Sequence, residues 1–123
     1  PGFFLEWLYT RENVYSYVFD GAWFDIGTPE SYIRANAHLL DGDTLVEDGV
    51  EIENSNVGEN SYVMSGATLE NSDVANTIVF GDAHLSNCTI RDSIIDRKTV
   101  VDGMDFQNAL IGEHTQLNGE IEE

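Results

Sequence analysis

The apolar residues in the second part of the chain recur at a nearly fixed spacing. A first column of aliphatic residues repeats after 17, 16, 16 and 16 positions, a second column keeps the same four spacings, and a third repeats after 17, 16 and 16. The columns are Val46, Val63, Val79, Ile95 and Ile111; Ile52, Leu69, Leu85, Val101 and Leu117; and Val57, Val74, Ile90 and Phe106. Successive apolar residues lie five or six positions apart. One period therefore predicts three short strands closed into a triangle, which is the pattern of a parallel β-helix made of hexapeptide-like turns.

The residues between these columns predict tight, polar corners. Small side chains recur four positions after the first column, at Ala67, Ala83, Thr99 and Thr115. A triangular corner leaves little room, so small residues fit there. Asn54, Asn71 and Asn87 form a further column, whose amides we expect to hydrogen-bond along the stack. With strands ~4.8 Å apart, about four and a half coils predict a prism roughly 20 Å long.

Residues 1–41 have a different texture and contain ten of the thirteen aromatic residues. Residues 3–9 read as a helix, and residues 14–19 and 22–26 read as two strands of a hairpin joined by Asp20-Gly21. Thr28 and Pro29 then predict the start of a helix over 29–40. We divide the chain into 1–41 and a β-helix domain at 42–123, and we expect the helix to cover the first coil. The acidic stretch 119–123 leaves the cover of the other end undecided.

The charge balance limits the partners. The chain has 23 acidic and 5 basic residues, a net charge of −18, and a single lysine. So negative a surface repels nucleic acid and anionic membranes, and neither is an expected partner. Carboxylates spread over the whole chain favour a protein from a salt-saturated cytoplasm, where salt screens their repulsion.

Cysteine usage and hydropathy add little chemistry. The single cysteine, Cys88, excludes an internal disulfide and falls at a small-residue position, where a packed thiol is expected. No apolar run reaches the length of a membrane span and no signal-peptide pattern opens the sequence, so we expect a soluble, cytoplasmic protein.

One segment adds a resemblance to a known family. Residues 23–36, WFDIGTPESYIRAN, resemble the segment that ends the catalytic domain of sugar-phosphate nucleotidyltransferases, such as glucose-1-phosphate thymidylyltransferases and ADP-glucose pyrophosphorylases. In many members this segment leads through a helix into a left-handed β-helix, which is the order of elements expected here. The resemblance implies a mainly β fold, a left-handed parallel β-helix preceded by a short α+β segment.

The resemblance also implies an activity for a longer parent protein. The family joins a nucleoside triphosphate to a sugar 1-phosphate, releases pyrophosphate, and holds Mg²⁺ between two aspartates. Asp25 matches the second of these; the alternative is that Asp25 ends a strand or hydrogen-bonds the turn at Gly27-Thr28. The family's glycine-rich phosphate loop and first metal aspartate have no counterpart in this sequence. We therefore expect a C-terminal fragment that has no catalytic residues of its own and needs no cofactor.

Two other functions stay open. A hexapeptide-repeat acyltransferase would use a histidine base, for which His84 and His114 are the candidates. The even spacing leaves no inserted loop to form an acyl-donor cleft, so both residues are interpreted as polar surface residues and His38 as structural. The third function is an oligomerisation module, since prisms with flat faces favour a homo-oligomer, above all a trimer.

Overall fold

A computed structural model describes residues 1–119 of the chain. It contains two helices, α1 (Gly2–Leu8) and α2 (Pro29–Leu40), followed by fourteen short strands. The strands are β1 (Leu45–Val46), β2 (Glu51–Glu53), β3 (Asn56–Val57), β4 (Tyr62–Val63), β5 (Thr68–Glu70), β6 (Asp73–Ala75), β7 (Ile78–Val79), β8 (His84–Ser86), β9 (Thr89–Arg91), β10 (Ile94–Ile95), β11 (Val100–Asp102), β12 (Phe106–Gln107), β13 (Leu110–Ile111) and β14 (Gln116–Asn118).

The strands form a parallel β-helix with three lateral sheets. Every third strand pairs in parallel, which gives sheet A (β1-β4-β7-β10-β13), sheet B (β2-β5-β8-β11-β14) and sheet C (β3-β6-β9-β12). The predicted columns are the register of these sheets. Val63 aligns with Val46 and Val79 in sheet A, Leu69 with Ile52 and Leu85 in sheet B. The mainly β, all-parallel fold expected from the spacing is confirmed.

The interior of the prism consists of these columns together with small corner residues. In the middle coils the aliphatic side chains are fully buried, among them Val63, Leu69, Val74, Val79, Leu85, Ile90, Ile95 and Val101. Ala67, Ala83 and Thr99 are also buried, as predicted for tight corners, while Thr115 in the last coil is partly exposed. Cys88 is a buried free thiol 3.4 Å from the Ser72 hydroxyl, which confirms the packed-thiol interpretation.

Residues with a left-handed backbone recur at each corner. Three columns of positive φ run up the prism: Asn54, Asn71, Asn87 and Gly103; Asn60, Asn76, Asp92 and Asn108; and Gly49, Gly66, Asp82, Lys98 and His114. Left-handed backbone costs most L-residues about 1–2 kcal/mol, and Gly, Asn and Asp tolerate it best. The recurrence of these residue types is therefore a backbone requirement of the corners.

The predicted amide column is present in part. The Asn54 amide donates to Asn71 Oδ1 at 3.4 Å, but the Asn87 amide donates to Asp102 Oδ1 at 2.9 Å, because Gly103 follows in the column and has no side chain to accept. A column not foreseen from sequence is better bonded, since Asn76 Nδ2 donates to Asp92 Oδ1 at 2.7 Å.

Helix α2 begins at the predicted residue but does not lie over the first coil, where we expected it. Thr28 caps it, accepting from Ser31 N at 3.2 Å, and Pro29 occupies its first turn. Ile33 is buried in a cluster with Ile78 and Ile94 of sheet A. The helix thus lies along the side of the prism, and the expectation that it covers the first coil is wrong. Interior positions of that coil stay accessible, with Val46 39% and Ile52 45% exposed.

The predicted hairpin is also wrong. Residues 13–27 contain no strand in the part of the chain that the structure describes, whereas the helix predicted at 3–9 is present as α1. A two-stranded hairpin is marginal without a third strand or a packing surface, and the aromatic side chains of 14–19 are exposed. The segment before the prism is therefore helical and irregular. Neither helix within residues 1–119 is long and apolar enough to cross a membrane.

Candidate functional site

Asp25 lies in the irregular segment that leads into α2. Its carboxylate is exposed, and Oδ1 accepts a hydrogen bond from Gly27 N at 3.2 Å. Three residues after Asp25, Thr28 begins a reciprocal capping box with Ser31. The turn interaction considered as an alternative role is present, but the predicted strand before Asp25 is absent. The metal role stays a prediction.

The Asp25 side chain itself offers a cation one carboxylate. An exposed carboxylate is a suitable oxygen ligand for Mg²⁺, which takes one or two carboxylates and keeps water or phosphate oxygens in its other positions. Among residues 1–119, no group of three or more His, Cys, Asp or Glu side chains is placed to hold a metal. Within the described residues, Asp25 is therefore a single candidate ligand and not part of such a cluster.

The two candidate histidines of the acyltransferase hypothesis lie apart. His84 is on the exposed side of β8, in register with Thr68 and Val100. His114 is in the turn after β13 with a left-handed backbone of φ 60°. The register separates them by about two coils, or ~10 Å along the prism axis. The fold does not bring them into one site within a single chain.

His38 is on α2 and contacts an aromatic ring. Its imidazole lies 5.1 Å from the Phe24 ring, measured between centroids, at an interplanar angle of 51°. This contact joins the helix to the segment that carries Asp25. The structural role that we predicted for His38 agrees with this contact.

A groove that the sequence did not indicate runs between α2 and one corner of the prism. It encloses about 580 Å³. Ile33, Arg34 and Ala37 form the helix side, and the corner column from Asn60 to Asn108 forms the other. One feature of the sequence could have located this groove. Asn60, Asn76, Asp92 and Asn108 recur every 16 residues and mark the corner that faces α2.

Polar contacts of Asn60 attach α2 to the prism. Asn36 Nδ2 donates to the Asn60 carbonyl oxygen at 2.9 Å. Gly42 N, just beyond the helix, donates to Asn60 Oδ1 at 2.9 Å. The sequence gave no indication that Asn36 and Gly42 bind Asn60.

A second polar cluster links the first two coils on sheet A. The Glu47 carboxylate accepts from the Tyr62 hydroxyl and, at 2.8 Å, from Ser65 N. These hydrogen bonds, the Tyr62 bond foremost, lower the pKa of Glu47, and the same bond raises the pKa of Tyr62. Both side chains are half-buried, and the cluster connects the two coils at the surface of the prism.

No model of a known protein family matches the chain, and no curated protein matches it.

Proposed function

We propose that this chain is the C-terminal part of a sugar-1-phosphate nucleotidyltransferase, with the prism serving oligomer assembly or regulation. One observation carries the proposal: the segment 23–36 that resembles this family enters a helix capped by Thr28, and that helix is attached to a parallel β-helix. The same three parts follow one another in the same order in the family.

The exposure of the first 26 residues supports the proposal. Side chains that normally belong in a core are open to solvent there, with Phe3 90%, Tyr15 86%, Tyr17 87% and Trp23 74% exposed. A folded protein rarely exposes so large an apolar surface without a partner. A catalytic domain packed on this segment would bury it.

Asp25 is assigned one role in this function. Mg²⁺ bound to nucleoside triphosphate oxygens would neutralise charge that develops as pyrophosphate leaves. The Asp25 carboxylate would hold that ion, and its bond from Gly27 N would fix the carboxylate relative to α2. The nucleotide and the sugar 1-phosphate would be chosen by residues of the other domain.

The first experiment is to measure the mass of the gene product in its own organism. A chain several times larger than 13.7 kDa agrees with the proposal. That product is then assayed for pyrophosphate release with panels of nucleoside triphosphates and sugar 1-phosphates. We expect Asp25→Asn to lower kcat at least 100-fold, and Asp20→Asn, another exposed acid in the same segment, to leave it unchanged.

Three results would contradict the proposal. They are a native chain of 13.7 kDa, no pyrophosphate release with any pair of substrates, or full activity of Asp25→Asn. In the first two cases acyl transfer and assembly become the leading hypotheses, and alanine variants of His84 and His114 would separate them.

Assembly alone is the second candidate function, favoured by one observation. The outward positions of sheet A carry an apolar column, and α2 buries only its middle. Ile78 and Ile94 are covered, whereas Leu45 is 45% and Leu110 60% exposed. A homo-oligomer, with a trimer as the expected form, would bury these ends. Sedimentation of the unsubstituted chain and of Leu110→Glu tests this assembly. The variant should dissociate into monomers, and an unsubstituted chain that is itself monomeric would contradict assembly through this face.

A further inference from the structure

Asn60 is held in place from several directions. Its N–H donates to Asp43 O at 2.9 Å within the first coil, and its backbone is left-handed, with φ 56°. The next residue, Ser61, is fully buried. Asn60 is therefore part of the rigid corner, and its two acceptor oxygens, the carbonyl oxygen and Oδ1, both accept hydrogen bonds from the α2 region.

The bonds of Asn60 hold the last part of α2 and the residues after it. The carbonyl oxygen binds the Asn36 amide, and Oδ1 binds the N–H of Gly42, whose φ is 90°. Gly42 is where the chain turns from the helix into the first coil. With Gly42 held to the corner, the turn cannot open as a hinge without losing this hydrogen bond.

The beginning of α2 is held by apolar packing. Ile33 and Ser31 are each 7% exposed, and Ile33 packs on Ile78 and Ile94. Ser31 closes the capping box with Thr28, and Gly27 N binds Asp25 Oδ1. An unbroken series of contacts therefore joins the prism to the Asp25 carboxylate.

We propose that α2 is a rigid strut pinned by Asn60, and that Asn60 is thereby a positioning residue for Asp25. The prism then determines the position of the Asp25 carboxylate. A change in how prisms pack against one another would therefore move this carboxylate, because α2 moves with the prism as one rigid body. The pinning of the helix rests on the contacts above. Its consequence for Asp25 rests on the proposed function.

Distance measurements between two spin labels test the pinning directly. One label replaces Glu30 in the first turn of α2 and the other replaces the exposed Arg97 on the prism. Both are introduced with Cys88→Ser, a change that fits because serine already occupies the same column at Ser72. We expect one narrow distance distribution in the parent chain.

Variants at position 60 separate the contribution of the Asn60 side chain to holding α2 from that of its backbone conformation. Asn60→Gly keeps a left-handed backbone without strain and removes Oδ1, so the distribution should broaden. Asn60→Asp retains an acceptor for Gly42 N and should restore the narrow distribution. Asn54→Gly, a left-handed asparagine of the same coil that does not contact α2, is the matched control and should leave it narrow. A narrow distribution in Asn60→Gly would overturn the proposal.

The longer enzyme tests the consequence for Asp25. Asn60→Gly should raise the Mg²⁺ concentration for half-maximal activity several-fold and leave the KM for sugar 1-phosphate unchanged, and Asn60→Asp should reverse the effect. Broadened distances together with unchanged Mg²⁺ dependence would remove the positioning role. Broadened distances in a protein without nucleotidyltransferase activity would overturn the assignment to Asp25 and the proposed function, but not the strut.

Discussion

Ile33 of α2 is buried against Ile78 of β7, on the outer side of the prism. Ile78 is adjacent to Val79, whose side chain points into the prism, and both are almost fully buried. A strand with two consecutive buried aliphatic residues is covered on both faces. The pair Ile94-Ile95 repeats this pattern one coil further along. The outer face of sheet A is thus a second, smaller core.

The first prediction concerns this second core. Ile33→Ala should destabilise the chain by about 2–5 kcal/mol, the usual cost of removing a large buried side chain. Leu39→Ala, on the same helix but 82% exposed, should change stability by less than about 0.5 kcal/mol. Urea unfolding followed by circular dichroism measures both. Equal effects would mean that α2 is not docked through Ile33.

The second prediction concerns the left-handed corners. Asn71 has φ 48°, and its side chain makes one long bond, from Asn54 at 3.4 Å. Asn71→Ala should cost about 1–2 kcal/mol because alanine does not tolerate this backbone. Asn71→Gly should be closer in stability to the unsubstituted chain, since glycine adopts the left-handed backbone freely. If glycine were the more harmful change, the side-chain ladder and not the backbone would determine the residue type.

The register of the prism could be predicted from the sequence, because the inward strand positions carry a large apolar residue in every coil. Val46, Val63 and Val79 therefore report the strand pairing directly. The position of α2 could have been inferred from the doublets Ile78-Val79 and Ile94-Ile95, which indicate a covered outer face. The three apolar columns contain only the inward members of these doublets, Val79 and Ile95, so they give no indication of the covered outer face.

The segment 13–27 could not be predicted, because local propensity was the only guide there. Residues such as Val14 and Tyr17 favour strands, yet they are exposed and have no strand partner in the described chain. At the candidate site the sequence indicated Asp25, and its metal role remains a prediction, because no contact within the described residues tests it. The role of Asn60 could not be predicted, because its partners Gly42 and Asn36 lie 18 and 24 positions away in the sequence.

The third prediction concerns pH. Folding lowers the pKa of Glu47, so its contribution to stability is present above the unfolded value of about 4.3 and is lost as the pH falls through the lowered folded value. Folding raises the pKa of Tyr62, so the hydrogen bond persists below about pH 10 and is lost as the pH rises through the raised value.

Tyr62→Phe tests this window. The variant should be less stable than the parent at neutral pH, and the difference should shrink below the unfolded pKa of Glu47. Tyr15→Phe, at an exposed tyrosine, should show no such dependence. Urea midpoints from pH 3 to 8 provide the comparison, and a difference that does not vary with pH would show that Tyr62 acts through packing alone.

The fourth prediction concerns the buried thiol. Burial raises the pKa of Cys88, so little reactive thiolate forms and reagents cannot reach it. Iodoacetamide should modify the folded chain far more slowly than the urea-unfolded chain. Arg97→Cys provides an exposed thiol in the same fold as the control. Rapid modification of Cys88 in the folded chain would show that this corner opens.

The fifth prediction concerns salt. Glu53 of β2 and Glu70 of β5 are exposed register partners on strands that lie ~4.8 Å apart. Like charges in this position destabilise a sheet. Residues 41–59 contain seven acidic and no basic residues. In dilute buffer this repulsion is weakly screened, whereas at 1 M salt the screening length is about 3 Å.

We therefore expect the urea midpoint to rise with KCl concentration up to molar salt. Glu70→Gln should raise the midpoint in dilute buffer, because it removes the in-register repulsion, and the gain should vanish in molar KCl. Asp20→Asn changes the net charge equally in a segment without strand pairing, so it separates local from overall repulsion. A midpoint independent of KCl would contradict adaptation to a salt-rich cytoplasm, and equal gains from both variants would show that net charge, not the Glu53–Glu70 pair, limits stability.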